Sequence, residues 1–396
     1  MAIQLSRRRW LASSLGAAGV LATGRLAGAA ATPAGELRDR SGQAPAAPVA
    51  LVRCPSFDPQ RFCQRLDEAF DLIGGIRKLV SNQTVTIKTN MTGLAWKPCC
   101  GLPAQETYQT HPNTVAALCA ALRDAGARRI VVVENYYWDK PAEQILAEAG
   151  WDIGAIQSAG GHRVLFEDTR NRGGWPGYSR FQVPWGGFVY PAFDLNQRFE
   201  KTDVLISLAK LKQHACAGIT GAVKNFFGIT PCSLYGNTAP TENPLTHRTA
   251  MFHSGRKTPP AGVPGEVDRP TPTDARYRVP RIVADIYGAR PADLAIVEGV
   301  RSISGGEGHW NRGVALVEPK VLLVGRNGVC VDTAATAVMG FDPQAPPDHF
   351  PFQGDNHLQL LASVGVGTND LDRIEIIGLP LKEAVYPYAP QRPGSG

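Results

Sequence analysis

The sequence predicts an α/β fold, a mainly parallel sheet flanked by helices on both faces with an inserted hairpin and a long loop. Three observations predict it. Strand-like apolar runs alternate with amphipathic helical stretches across most of the chain, the pattern of βαβ units. The run RIVVV at 129–133 is continuously apolar, as expected of a strand buried on both faces, and 203–207 is similar. Polar residues cluster directly after these runs, where the carboxyl ends of parallel strands gather along one edge.

Residues 49–53 read as the first strand and 58–80 as a helix, with apolar positions at Phe62, Leu66, Phe70 and Ile73. QTVTIK at 83–88 is a strand rich in β-branched residues, opening into a loop with Pro and Gly. A helix over 112–125 starts at His111-Pro112 and is capped by Gly126. After the 129–133 strand comes a helix over 142–148. The stretch 151–200 changes character, and FQVPWGGFVYPAF within it reads as an inserted hairpin. The segment 233–275, with His247 and His253, is a long proline-rich insertion suited to a lid. Beyond it lie a helix at 279–289, a strand at 294–297, the glycine-rich SISGGEGHWNRG, a strand at 321–324, a helix at 332–339 and a strand at 373–377. Residues 49–385 therefore read as one α/β domain, behind a disordered linker at 32–48 and before a loose tail at 386–396.

Ser6-Arg7-Arg8-Arg9-Trp10-Leu11 matches the twin-arginine export pattern. A short Ala/Gly/Leu stretch follows, with cleavage options after Ala29 or Ala31. It is too short, too rich in glycine and too interrupted by Arg25 to span a membrane stably. The expected location is periplasmic or secreted, with the twin-arginine machinery as a partner. The net charge is +6, but removing the four leader arginines leaves 37 basic residues against 35 acidic, +2. That balance gives no reason to expect a nucleic-acid partner. Eight cysteines are present without a CxxC spacing, which disfavours a cysteine-held cluster. Cys99-Cys100 is an unusual adjacent pair that reads as a loop element or as partner to distant cysteines, with a redox or copper role as the alternative.

The most telling stretch is DVLISLAKLKQHACAGITGAVKNFFGITP at 203–231. Lys210, Lys212, His214, Lys224 and Asn225 lie among apolar and small residues, where burying them needs partners or a ligand. Lys88 and Asn90 end a second strand, Glu134 a third and Glu298 a fourth. Together the lysines form a cationic cleft for a carboxylate or phosphate, and a crowded buried lysine can serve as base or amine nucleophile. In this reading Lys210, Lys212, His214 and Lys224 are catalytic, while Lys88, Asn90, Asn225 and Glu298 bind substrate. Glu134, His214 and Asp332, joined by Glu298 and His309, alternatively offer a mixed N/O metal site, although no HxH or HExxH spacing marks one. Asp332 also reads as a helix N-cap. His309 and Trp310 in the glycine-rich loop are further ligand contacts. No GxSxG elbow follows any strand, which argues against a Ser-His-Asp hydrolase.

These segments resemble the domain of unknown function 362 family. The resemblance rests on IKTN ending at Asn90, the THPNTVAALCAALRDAGARRIVVVEN block, LAKLKQHACAGITGAVKNFFGITP, AIVEGV and VGRNGVCVDTAATAVMGFDP. Lys88 and Asn90 match the family's Lys-x-Asn. Lys210, Lys212, His214, Lys224 and Asn225 match its central motif, and Asp332 its late aspartate. Many members also carry ferredoxin-type iron–sulfur motifs, which this sequence lacks, and the cofactor is left undefined. The expected function is that of an exported enzyme, redox or metal-assisted, acting on a small anionic substrate. The alternative is a non-catalytic periplasmic protein that binds an anionic ligand or metal.

Overall fold

The computed structural model describes residues 38–93, 96–136, 140–170, 177–236 and 249–388. The expected leader, His247 and the end of the tail lie outside these residues.

In chain order the strands are β1 (Val49–Arg53), β2 (Thr84–Lys88), β3 (Arg129–Glu134), β4 (Val164–Asp168), the hairpin β5 (Tyr178–Gln182) and β6 (Ala192–Asn196), and β7 (Val204–Lys210). The short ribbon β8 (Gln213–His214) with β9 (Gly218–Ile219) follows, then β10 (Leu294–Gly299), the ribbon β11 (Ser302–Ser304) with β12 (Ala315–Val317), β13 (Val321–Gly325) and β14 (Ile376–Gly378). Eight of them form one sheet in the order β14-β1-β13-β10-β7-β2-β3-β4. All its pairings are parallel except those of β13, which runs against both β1 and β10. The mainly parallel sheet is therefore as expected.

Alternation along each strand sends neighbouring side chains to opposite faces. Val85, Ile87, Ile130 and Val132 meet Phe62 and Leu66 of helix Pro59–Leu72 and Leu118 and Leu122 of helix Pro112–Asp124. Val131, Val133, Leu205 and Val297 face the layer that includes helices Ala275–Ala289 and Gly328–Val338. Each fully buried Val, Leu or Ile contributes about 1.5–3 kcal/mol relative to exposure. Asp285 ties the inserted hairpin to this second layer. Its buried carboxylate accepts from the Trp185 indole at 3.2 Å and from the Phe188, Val189 and Tyr190 amides at 2.7, 2.7 and 3.0 Å. Burial pushes its pKa up to about 7 against the pull of these donors.

Several boundaries differ from expectation for physical reasons. The helix predicted over 58–80 stops at Leu72, because Gly74 and Gly75 turn left-handed (φ 81° and 75°), and a short helix Arg77–Val80 follows. The region 151–200 is not all insertion, since helix Ile153–Ala159 and the edge strand β4 belong to the main architecture. The linker predicted at 32–48 is packed from Arg40 onward. Arg40 N donates to Ser363 O, Arg373 donates to the Ser41 and Ala44 carbonyls, and Ala44 is buried. Likewise the tail begins later than 386, because Tyr388 is buried and its hydroxyl donates to Leu211 O at 3.0 Å. Among the described residues no helix is long and apolar enough to cross a membrane.

Candidate active site on the carboxyl edge

Lys88, Glu134, Lys210 and Glu298 all stand at or near the carboxyl ends of parallel strands, on one sheet edge. The structure shows how they are partnered. Lys210 and Glu298 are direct cross-strand neighbours and form a 2.9 Å ion pair with both side chains buried. The Lys210 ammonium also donates to Gln105 O at 3.3 Å and lies 4.8 Å from the Phe57 ring centre. Burial lowers the Lys210 pKa while Glu298 opposes it, and burial raises that of Glu298 while Lys210 opposes it. Lys88 pairs with Glu134 at 2.6 Å. Glu134 further accepts from Thr89 Oγ1, Met91 N and Asn135 N at 3.2, 3.0 and 3.0 Å. Lys88 and Lys210 thus have Glu134 and Glu298 as carboxylate partners.

The asparagines knit the strand ends together. Asn225 Nδ2 donates to Lys88 O at 3.2 Å and Ser207 Oγ at 3.1 Å, while its Oδ1 accepts from Asn90 Nδ2 at 3.0 Å. Asn90 Oδ1 in turn accepts from Lys212 Nζ at 2.9 Å, and the same ammonium reaches Tyr108 O at 2.5 Å. Asn90 N donates to Thr110 Oγ1 at 2.7 Å. Lys212 is 1% exposed and, among the described residues, has no carboxylate within salt-bridge distance. Its pKa falls well below the ordinary lysine value. Burial is the main cause, Glu307 opposes it, and Lys210 and Lys224 add to it.

Lys224 ends the short helix Gly221–Lys224, with its ammonium 4.1 Å from the Phe227 ring centre. Asp332 sets this helix in place. It lies inside helix Gly328–Val338 rather than at its N-cap, and its carboxylate accepts from the Ala222 and Val223 amides at 2.6 and 2.8 Å. Burial pushes its pKa up to about 7 while those amides pull it down. Gly221 allows the approach, since it is left-handed (φ +51°) and a Cβ there would come within 2.4 Å of the Asp332 carboxylate.

His214 is half-buried, and its Nδ1 accepts from Cys216 N at 3.2 Å. Burial drives its pKa well down, and Lys224, His253, Lys212 and His357 push in the same direction. Glu134, His214 and Asp332 do not form one donor set. Glu134 is committed to Lys88 and Asp332 to backbone amides, and among the described residues no three His, Cys, Asp or Glu side chains are grouped for a metal ion. The glycine-rich loop does lie over this edge. Glu307 accepts from Ala215 N at 2.9 Å and from the Trp310 indole at 3.0 Å, while His309 and Trp310 pack on Tyr108.

Four contributors escaped the sequence reading. Gln105 and Tyr108 supply backbone carbonyls, for which no side-chain signal exists. His111 caps its helix and stacks on Phe57 at 4.0 Å, and burial with Lys210 and Arg301 holds its pKa down at about 3. His357 follows the N-cap Asn356, is fully buried, and has no hydrogen-bond partner at either ring nitrogen among the described residues.

Burial and the Lys224 charge hold the His357 pKa down at about 3, and the Ala217 backbone opposes them. Its folded pKa lies below the unfolded value of about 6.5, so this contribution to stability is present above pH 6.5 and is lost as pH falls towards 3. The loss reaches about 2–3 kcal/mol by pH 4.5. His357→Phe is expected to raise the urea midpoint at pH 7 by the equivalent of about 1–2 kcal/mol, with a larger gain at pH 4.5. A destabilised variant at both pH values would mean that the ring is hydrogen-bonded in solution.

A family model described as a domain of unknown function (DUF362) matches residues 85–337, a span holding all of the site described above except Phe57 and His357. A crystal structure of a Thermotoga maritima protein from a structural genomics consortium is similar over 74% of this chain, at 13% identity and a TM-score of 0.36. The match covers 61% of that protein's own length. No curated protein matches the chain.

Proposed function

We propose, starting from the fact that this chain belongs to the family described as a domain of unknown function (DUF362), that it is an exported enzyme acting on a small anionic substrate at the carboxyl edge of its sheet. Lys212 carries the reading. This deeply buried lysine donates to an amide oxygen and a peptide carbonyl, and among the described residues no carboxylate lies within salt-bridge distance to stabilise its ammonium form. A carboxylate or phosphate group on the substrate supplies that charge. Because burial disfavours its charged form, this amine is suited to act as base or nucleophile. Lys224 and His214 follow on the same segment and face the same substrate. Lys88, Lys210, Asn90 and Asn225 hold the frame, and the loop carrying Glu307, His309 and Trp310 opens to admit the ligand. Export is supported by the Ser6–Leu11 pattern.

Calorimetric titration with inorganic phosphate and with malonate tests this reading. Saturable binding is expected, weakened at least about tenfold in Lys212→Met, as for loss of one charged hydrogen bond of about 1.5–3 kcal/mol. The unliganded variant should melt no lower than the parent, because it no longer buries an amine. Equal affinity in both proteins would overturn the reading. Binding without turnover of any phosphate or carboxylate compound would favour the non-catalytic binding protein.

A further inference from the structure

We propose that Cys99 and Cys100 are a reversible thiol–disulfide exchange site, whose oxidation to a ring between adjacent residues loosens the carbonyl that holds Lys212. Their sulfurs lie 3.9 Å apart, and both are free thiols, Cys99 buried and Cys100 exposed. The pair sits in a two-residue hairpin. Cys99 N donates to Leu102 O at 2.9 Å and Leu102 N to Cys99 O at 3.0 Å, around Cys100 and Gly101 at φ 54° and 77°. Positive φ at both central positions is the type I′ turn, which ordinarily takes Asn or Gly. A cysteine held left-handed at an exposed turn is a local strain that points to a use.

The turn is wired to the site. Cys99 packs with Ala104, Tyr108 and Ile303. The Tyr108 hydroxyl donates to Lys97 O at 2.8 Å, just before the pair, and the Tyr108 carbonyl receives Lys212. Closing the sulfurs from 3.9 Å to a bonded distance of about 2.05 Å requires the turn to rearrange and draws Cys100 Sγ off Val314 O. Adjacent Cα atoms are about 3.8 Å apart, shorter than the usual disulfide range of about 4.4–6.8 Å, so the ring is strained and readily reduced again.

The chemistry needs one disulfide oxidant, such as glutathione disulfide. The Cys100 thiolate attacks one of its sulfurs, forming a mixed disulfide and expelling one thiolate. Cys99 then loses its proton to water and attacks Cys100 Sγ, expelling the second. Two cysteine thiols are oxidised by two electrons and one disulfide is reduced to two thiols. Burial, together with the neighbouring Cys100, pushes the Cys99 thiol up to about 12 while Lys212 pulls it down, so Cys99 is the slower, resolving partner. That this rearrangement matters to substrate rests on the Lys212 reading above; the exchange chemistry does not.

The full chain is treated with glutathione disulfide, alkylated and mapped by peptide mass. Expected is the loss of two hydrogens in the peptide holding Cys99 and Cys100, reversed by dithiothreitol and absent in Cys99→Ser/Cys100→Ser. Amide hydrogen exchange at residues 104–110 should quicken at least about fivefold in the oxidised protein and stay unchanged in the treated double variant. A stable glutathione adduct on Cys100, or pairing with any other cysteine, overturns the exchange site. Ring closure with unchanged exchange overturns the coupling to Tyr108. Neither readout depends on a ligand, so failure of phosphate binding leaves them intact.

Discussion

Replacing Glu298 with leucine is expected to destabilise the fold by about 3–5 kcal/mol, while the Lys210→Met/Glu298→Leu double variant recovers most of the loss. The single change leaves a fully buried ammonium whose remaining contacts among the described residues include the Gln105 carbonyl at 3.3 Å and the Phe57 ring face, and it also orphans Val300 N, which donates to Glu298 at 3.0 Å. The double change removes both charges together, beside the buried side chains of Leu211 and Val300. Urea denaturation with an unchanged m-value measures both terms. If the double variant is as unstable as the single one, the pair is not the dominant interaction there. If the single variant keeps its stability but loses phosphate binding, Glu298 belongs to the ligand's surroundings rather than to the frame.

Gly221→Ala and Asp332→Ala are each expected to weaken the fold by about 2–5 kcal/mol and to abolish phosphate binding together with it. The glycine variant places a methyl group 2.4 Å from the Asp332 carboxylate and forces φ +51° on a residue with a side chain. The aspartate variant leaves the Ala222 and Val223 amides buried without their acceptor. Because both act on one contact, their effects should not add: removing the carboxylate makes room for the methyl. A double variant as unstable as the sum of the singles would show that the two positions act separately. Either way Lys224, which ends that helix, and Asn225, which follows it, lose their fixed place.

The legibility of this molecule divides along physical lines. Strand and helix patterning placed β1, β2, β3, β7 and β10 within a few residues, because burial on both faces leaves an apolar run that nothing else in the sequence imitates. Strand β4 was missed because an edge strand needs only half its side chains buried, and VLFED does not stand out. The reversed direction of β13 was not readable, since a short apolar strand looks the same in either sense. At the site, residue types were legible and pairings were not. Lys88, Lys210, Glu134 and Glu298 stood out as polar groups at strand ends. That they neutralise one another follows from cross-strand register, which aligns Glu298 with Lys210 across 88 positions of sequence. The same holds for Asp332, whose partners lie 109 and 110 positions away. Backbone carbonyl acceptors such as that of Tyr108 carry no residue signature at all.

The reversed strand has a consequence for how this architecture can diversify. Since β10 leaves the sheet at Gly299 and the chain returns at Val321, which pairs with Gly299, the whole excursion over 300–320 begins and ends on neighbouring residues. It carries the β11–β12 ribbon, Glu307, His309 and Trp310, yet no crossing of the sheet depends on its length. Such a segment is an exchangeable cassette. Shortening it, lengthening it or grafting one from another member would leave sheet order and register intact, so this cover over the sheet edge is free to vary while the ion-paired floor beneath it stays fixed.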